Sequence, residues 1–185
     1  MTLRSVRRLL ASAGAAGAAV LAFAGSALPV QAASAAGGAV APSNFPTNGS
    51  FGAIINFDGQ CLDMRSPQAA VQVQVEPCSG LSEQRWTWRP AGGAGGYLIQ
   101  NERWNLCPTI LNHFTGAGGK VVPTSCRATD TFQQWDPGPP TADGVQISDL
   151  ADHGFVLHPA VCTNAIGAEI YMNAPNQCRV DFWHG

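Results

Sequence analysis

Six cysteines fall in three neighbouring pairs, Cys61 with Cys78, Cys107 with Cys126 and Cys162 with Cys178, at intervals of 17, 19 and 16 residues. A tryptophan follows each pair: Gln84-Arg85-Trp86 after Cys78, Gln133-Gln134-Trp135 after Cys126 and Asp181-Phe182-Trp183 after Cys178. From one Trp to the next is 49 and then 48 residues. A period near fifty means copies of one unit, and such a unit buries its apolar face only against its neighbours. Phe51 and Tyr97 extend the pattern, each standing ten residues before the first cysteine of its unit and each opening a short apolar stretch.

Within the units the local period is two. Val71-Gln72-Val73-Gln74-Val75 alternates as a half-buried strand does, and clusters of Gly, Pro and Asn punctuate such runs. No segment makes a convincing amphipathic helix. The expectation is therefore an all-β chain. Three repeats of four short antiparallel strands can close on themselves and remove the edges a single repeat would expose. That describes a β-trefoil over residues 49–185, with repeats of about 49–95, 96–143 and 144–185.

The first thirty residues read differently. Arg4, Arg7 and Arg8 precede an Ala/Gly/Leu/Val run from Leu9 to Val30, and Val30-Gln31-Ala32 supplies a small-residue cleavage site. Together these are the marks of a secretory signal peptide over residues 1–32, followed by a flexible segment over 33–48. Arg7-Arg8 before Leu9-Leu10 also resembles a twin-arginine leader, so the export route stays open between the two. Export implies an extracellular location, and there an even cysteine count reads as disulfides. Pairing nearest neighbours closes three short loops, each contributing about 3 kcal/mol in the chain-entropy picture. Zinc would need close Cys-x-x-Cys or two-His pairs. His113, His153, His158 and His184 are scattered, so neither a metal nor a cofactor is expected.

Charge narrows the partners. The leader takes three of the ten Lys and Arg and none of the twelve Asp and Glu, leaving seven basic against twelve acidic residues. Nucleic acid is not an expected partner for so acidic a chain, nor is a membrane once the leader is gone. Contact with the outside falls to amides, hydroxyls and backbone, the groups that bind sugars.

The combination of Cys61-Leu62-Asp63, the run Val71 to Val75, Cys78 and Gln84-x-Trp86 resembles the ricin B-chain-like lectins, over about residues 50 to 185. Repeat two keeps its cysteines and Gln133-x-Trp135, whereas repeat three has Asp181 in place of Gln. The resemblance implies that Trp86, Trp135 and Trp183 are core residues, since a buried indole needs a partner for its N–H. It also implies a shallow glycan pocket in each repeat. A carboxylate two residues after the first cysteine accepts from sugar hydroxyls, an aromatic about two residues before the second cysteine stacks on the ring, and amides complete the pocket.

Carried over residue by residue, repeat one has Asp63 as the carboxylate, Gln74 as an amide with Gln84 behind it, and Glu76 at the platform position. Repeat two offers Thr109, Val122 and Thr124, and no ordinary site is expected there. Repeat three offers Asn164 for the carboxylate, with Tyr171 as a displaced platform and Asn173 nearby. Trp104, His113 and Phe114 lie near Gly-rich loops and form an alternative platform. Asp63, Glu76, Glu83 and Glu102 are the carboxylates that a glycosidase would need to pair, but nothing in their spacing selects two. No Gly-x-Ser-x-Gly, His-Glu-x-x-His or phosphate loop is present. Two readings result: a non-catalytic carbohydrate-binding module for galactose-type or other glycans, weak and centred on repeat one; or a sugar-silent trefoil serving a structural role or a protein partner. The leader is tested directly by N-terminal sequencing of the protein exported from a bacterial host, which should begin at Ala33.

Overall fold

The computed structural model describes residues 51–92, 95–162 and 165–184. The leader, the segment over 33–48 and Asn164 lie outside the described residues. Repeat one contributes β1 (Phe51–Gly52), β2 (Ile55–Asn56), β3 (Gln60–Asp63), β4 (Gln74–Pro77) and β5 (Trp86–Pro90). Repeat two contributes β6 (Tyr97–Asn101), β7 (Leu106–Ile110), β8 (Gly119–Ser125) and β9 (Gln134–Pro137), and repeat three β10 (Val145–Asp149), β11 (Val156–Pro159), β12 (Ala168–Asn173) and β13 (Phe182–His184). Every pairing among them is antiparallel, and among the described residues no helix is long and apolar enough to cross a membrane.

The outer strands of the repeats join into a ring. β5 pairs with β6, β6 with β9, β9 with β10 and β10 with β13. β13 pairs with β2 while β1 returns to β5, so the broken first strand closes the barrel. The inner strands form the hairpins β3–β4, β7–β8 and β11–β12. These meet one another, β12 pairing with both β4 and β8, and cover one end of the barrel. Closure of the ring and contact between the hairpins leave few exposed strand edges among the described residues, and unpaired edges are what invite pairing between all-β chains. The fold is a β-trefoil of three repeats, as the cysteine–tryptophan period predicts.

Trp86, Trp135 and Trp183 are fully buried and form one core cluster with Leu62, Val75, Ile99, Ile147, Leu157 and Ile170 among others. Each indole N–H donates to a carbonyl of its own repeat's hairpin: Trp86 to Leu62 at 3.0 Å, Trp135 to Pro108 at 3.3 Å and Trp183 to Leu157 at 3.3 Å. The run Val71 to Val75 departs from its expected half-burial. The strand begins only at Gln74, and Gln72 and Gln74 are buried along with Val73 and Val75, while Val71 is half-buried. The reason is the neighbouring hairpin, to which Gln72 donates through the carbonyl of Ile170.

The cysteines pair within each repeat: Cys61–Cys78, Cys107–Cys126 and Cys162–Cys178. The first two bridges occupy matching places, Cys61 lying opposite Glu76 and Cys107 opposite Thr124. The strand position that matches them in repeat three is Val156, opposite Asn173. The third bridge instead ties the chain beyond β11 to the head of the 3-10 turn Arg179–Asp181. Truncating Trp135 to Ala removes a fully buried ring and its hydrogen bond, and is expected to cost about 3–5 kcal/mol. Truncating exposed Phe114 should cost less than about 0.5 kcal/mol. Urea unfolding monitored by circular dichroism measures both.

Candidate functional site

Because side chains alternate across a strand, the hairpin residues next to the core-facing ones point to the outside. Leu62 and Val75 face inward, so Asp63, Gln74 and Glu76 share the opposite face of β3–β4. The register repeats this face three times. Asp63 lies opposite Gln74, Thr109 opposite Val122 and His158 opposite Tyr171. Glu76, Thr124 and Asn173 occupy the next outward position, and behind each face comes the residue two before the core tryptophan: Gln84, Gln133 or Asp181.

In repeat one, the Gln84 side-chain amide donates to Asp63 Oδ2 at 3.0 Å and to the Pro77 carbonyl at 3.1 Å, while its oxygen accepts from the Ser79 backbone N–H at 2.7 Å. The first bond orients the carboxylate, and the other two fix the Gln84 amide that makes it. Burial pushes Asp63 above the ordinary carboxylate value, the Gln84 hydrogen bond opposes that, and the negative charge of Glu76 adds to it. Gln74 donates to Glu76 Oε1 at 2.8 Å, and Arg65 pairs with the same oxygen. The platform position therefore holds an ion-paired carboxylate. Glu83 does not join this group: it meets Arg103 at 3.5 Å, and its carbonyl accepts from Asn101. Trp104 is structural as well, its N–H donating to the Met64 carbonyl at 2.7 Å.

Repeat two, which the strand positions left without an ordinary site, carries a hollow of about 510 Å³. Thr109 and Thr124 share a 2.5 Å hydroxyl hydrogen bond on its wall, and Gln133 donates to Thr124 at 2.7 Å. The rim comes from loops. Asn112 and His113 adopt positive φ of 55° and 58°, and the His113 ring lies flat on Phe132, centroids 4.0 Å apart and planes within 2°. Asn112, His113, Arg127 and Asp130 line the hollow. The flat aromatic surface of this repeat is thus supplied from outside the strand position, by a stack between two segments that are 19 residues apart. Of the sequence's loop platform only His113 lines this hollow; Phe114 stands next to it, largely exposed.

Repeat three requires a correction. Counting from its first cysteine placed Asn164 at the carboxylate position, but the strand register places His158 there. Cys162 stands six residues beyond Val156, the true match of Cys61, so counting from the cysteine overshoots the strand. His158 is buried, and its Nδ1 meets Asp181 Oδ1 at 2.5 Å. Asp181 is fully buried and takes the Cys178 backbone N–H on its other oxygen at 3.0 Å. Tyr171 does line a hollow, of about 370 Å³, with Gly118, His158, Ala160, Met172 and Asn173.

A family model, the ricin-type β-trefoil lectin domain, matches residues 50–177. The chain belongs to that family. Among solved structures it is similar to ThreeFoil, a designed three-fold symmetric protein, at 19% identity and a TM-score of 0.63, over 72% of this chain and 96% of that one. The Rhizoctonia solani agglutinin aligns at 17% identity and a TM-score of 0.64, over 76% and 96%. The Macrolepiota procera ricin B-like lectin, solved in complex with lactose, aligns at 15% identity and a TM-score of 0.62, over 75% and 95%. At these identities the likeness is one of fold. No match is found among the curated proteins.

Within this ricin-type domain the raised value of Asp63 has a consequence for stability. A carboxyl whose folded value lies above its unfolded one favours folding when protonated, so its ionisation costs stability as the pH climbs from the ordinary value through the folded one. Asp63→Asn keeps an acceptor for Gln84 and removes the charge. The variant is expected to melt above the wild type at pH 7, with the gap closing towards pH 3, as differential scanning fluorimetry across that range will show.

Proposed function

We propose that the chain is an exported, non-catalytic carbohydrate-binding module that holds galactose-type or related glycans weakly through repeat one. The observation that carries this reading is the Asp63–Gln84 pair. Gln84 engages Asp63 Oδ2, and Oδ1 has no partner among the described residues. A carboxylate so oriented is an acceptor ready for sugar hydroxyls. Membership in a lectin family and the lactose complex of the Macrolepiota procera protein support glycans as the ligand class. The non-catalytic part of the reading rests on the carboxylates near the site. Glu76, the carboxylate on the same face as Asp63, is tied to Gln74 and Arg65, so Asp63 has no free second carboxylate beside it to complete an acid–base pair.

One observation favours the sugar-silent reading. With Arg65 and Gln74 both satisfied by Glu76, a ligand at the platform position must break an existing network. Calorimetric titration of the full-length mature protein with lactose separates the two. Binding in the range of about 0.1–1 mM is expected, weakened about tenfold or more in Asp63→Ala. A folded protein that leaves lactose and a broad glycan array untouched supports the sugar-silent trefoil instead.

A further inference from the structure

We propose that reduction of the Cys162–Cys178 bridge creates a zinc site, with the two thiolates and the His158 imidazole as its protein ligands and a fourth position left to water. Such a site stands whether or not the chain binds glycans.

The spacing rule that sets zinc aside looks for ligands close together in the chain, and these three are gathered by the displaced third bridge. One nitrogen of the His158 ring and the sulfurs of Cys162 and Cys178 all lie within 4.8 Å of one another. Among the described residues no other three His, Cys, Asp or Glu side chains cluster in this way. Cys61 and Cys107 sit within strands β3 and β7, with no imidazole at hand. Cys162 instead follows the end of β11, which puts its sulfur beside that strand's outward residue, His158.

A metal binds thiolate, and a disulfide offers none. The oxidised chain is therefore closed to zinc at this place. Cys162 is exposed, and exposed bridges are the ones that exchange with outside thiols. With a small thiol as reductant, the S–S bond breaks and its two sulfurs gain two electrons and two protons. Two molecules of the small thiol lose the same and leave joined as a disulfide. Zn²⁺ then displaces both thiol protons, and neither metal nor protein changes oxidation state in that second step. Two sulfurs, one imidazole nitrogen and an open position make a known kind of zinc coordination. A tetrahedral zinc, about 2.3 Å from sulfur and about 2.0 Å from nitrogen, spaces its ligands by roughly 3.5–3.8 Å. Breaking the bridge lets the sulfurs part to that spacing. Neither cysteine belongs to a strand, so the sheet that holds His158 is untouched.

The surroundings already serve the ligands. Asp181 is fully buried, and its Oδ1 meets His158 Nδ1 at 2.5 Å. A carboxylate on one ring nitrogen fixes the imidazole and raises the basicity of the other, the arrangement found behind metal-bound histidines. Nε2 has no hydrogen-bond partner among the described residues, so it is the nitrogen free to coordinate. The same Asp181 takes the Cys178 backbone N–H on Oδ2 at 3.0 Å, and its own backbone N–H donates to the Cys178 sulfur. One residue thus positions two of the three ligands. This gives a use to the Asp that stands where repeats one and two have Gln84 and Gln133.

The test treats the full mature chain with a water-soluble phosphine, which takes up oxygen from water as it reduces a disulfide, and then adds zinc chloride. Alkylation with peptide mapping identifies the opened bridges, native mass spectrometry counts bound zinc, and competition with a chromogenic chelator gives the affinity. One zinc should bind the reduced chain and none the oxidised one. His158→Gln should weaken it by about tenfold or more, and Asp181→Asn by about 10–100-fold. Cobalt(II) in place of zinc should show thiolate-to-metal charge transfer in the wild type, lost in Cys162→Ser with Cys178→Ser, a variant that keeps both other bridges. Circular dichroism melting of each form establishes that it is folded. Zinc held equally by the oxidised chain, by His158→Gln or by the double serine variant would overturn the site. So would a folded chain with Cys162 and Cys178 free that takes no zinc, or a third bridge that the phosphine opens only when the trefoil unfolds.

Discussion

Three hydrogen bonds from buried indoles set the geometry on which everything else in this molecule depends. Each tryptophan lies on the last strand of its repeat, in the barrel wall, and reaches the carbonyl of the hairpin strand that belongs to the same repeat. A buried indole without an acceptor costs a full desolvation penalty, on the order of 1–3 kcal/mol. The bond therefore does more than fill space: it holds hairpin and barrel in one register, and the register decides which residue stands on the outer face. Asp63, Thr109 and His158 are the residues immediately after the three acceptor carbonyls. The architecture thus presents the same outward position three times, whatever side chain occupies it.

On that shared frame the three repeats have kept the connection between strand and turn while changing its chemistry. Repeat one uses a carboxylate and an amide, repeat two a pair of hydroxyls and an amide, and repeat three an imidazole and a carboxylate. In each case the strand and the turn remain linked, because an unpaired polar group in so enclosed a place is expensive. The consequences for the outer surface differ. Repeat one closes its platform position with Arg65 and Glu76, repeat two opens onto the His113–Phe132 stack, and repeat three opens over Tyr171.

How much of this was legible beforehand varies with the range of the interaction. The Trp–Trp interval and the cysteine pairs exposed the trefoil because a three-fold fold writes its period into the chain. The burial of Trp86, Trp135 and Trp183 and the Asp63–Gln84 region of repeat one follow from motifs that are short in sequence. The His158 position was missed because its repeat has moved its disulfide. With Cys162 lying beyond the strand, the cysteine no longer marks the strand position, and the strand register together with the indole bond from Trp183 to Leu157 reveals the proper alignment. A signal did exist. Asp181 at the Gln position calls for a donor partner, and His158 is one of only four histidines in the chain.

The amino-acid sequence by itself determined the three-fold repeat, the all-β class and the cysteine complement, because each is written in local period and composition, and the resemblance carried by its motifs implied the core tryptophans. Only the tertiary structure decided which side chains share a face. Val121 touches Val73, Gln72 reaches Ile170 and His113 lies on Phe132 through contacts between segments that chain spacing does not relate. Site chemistry belongs to this second group for a physical reason: a pocket is a meeting of loops and strand ends across the closed sheet, and its members are neighbours in space before they are neighbours in sequence.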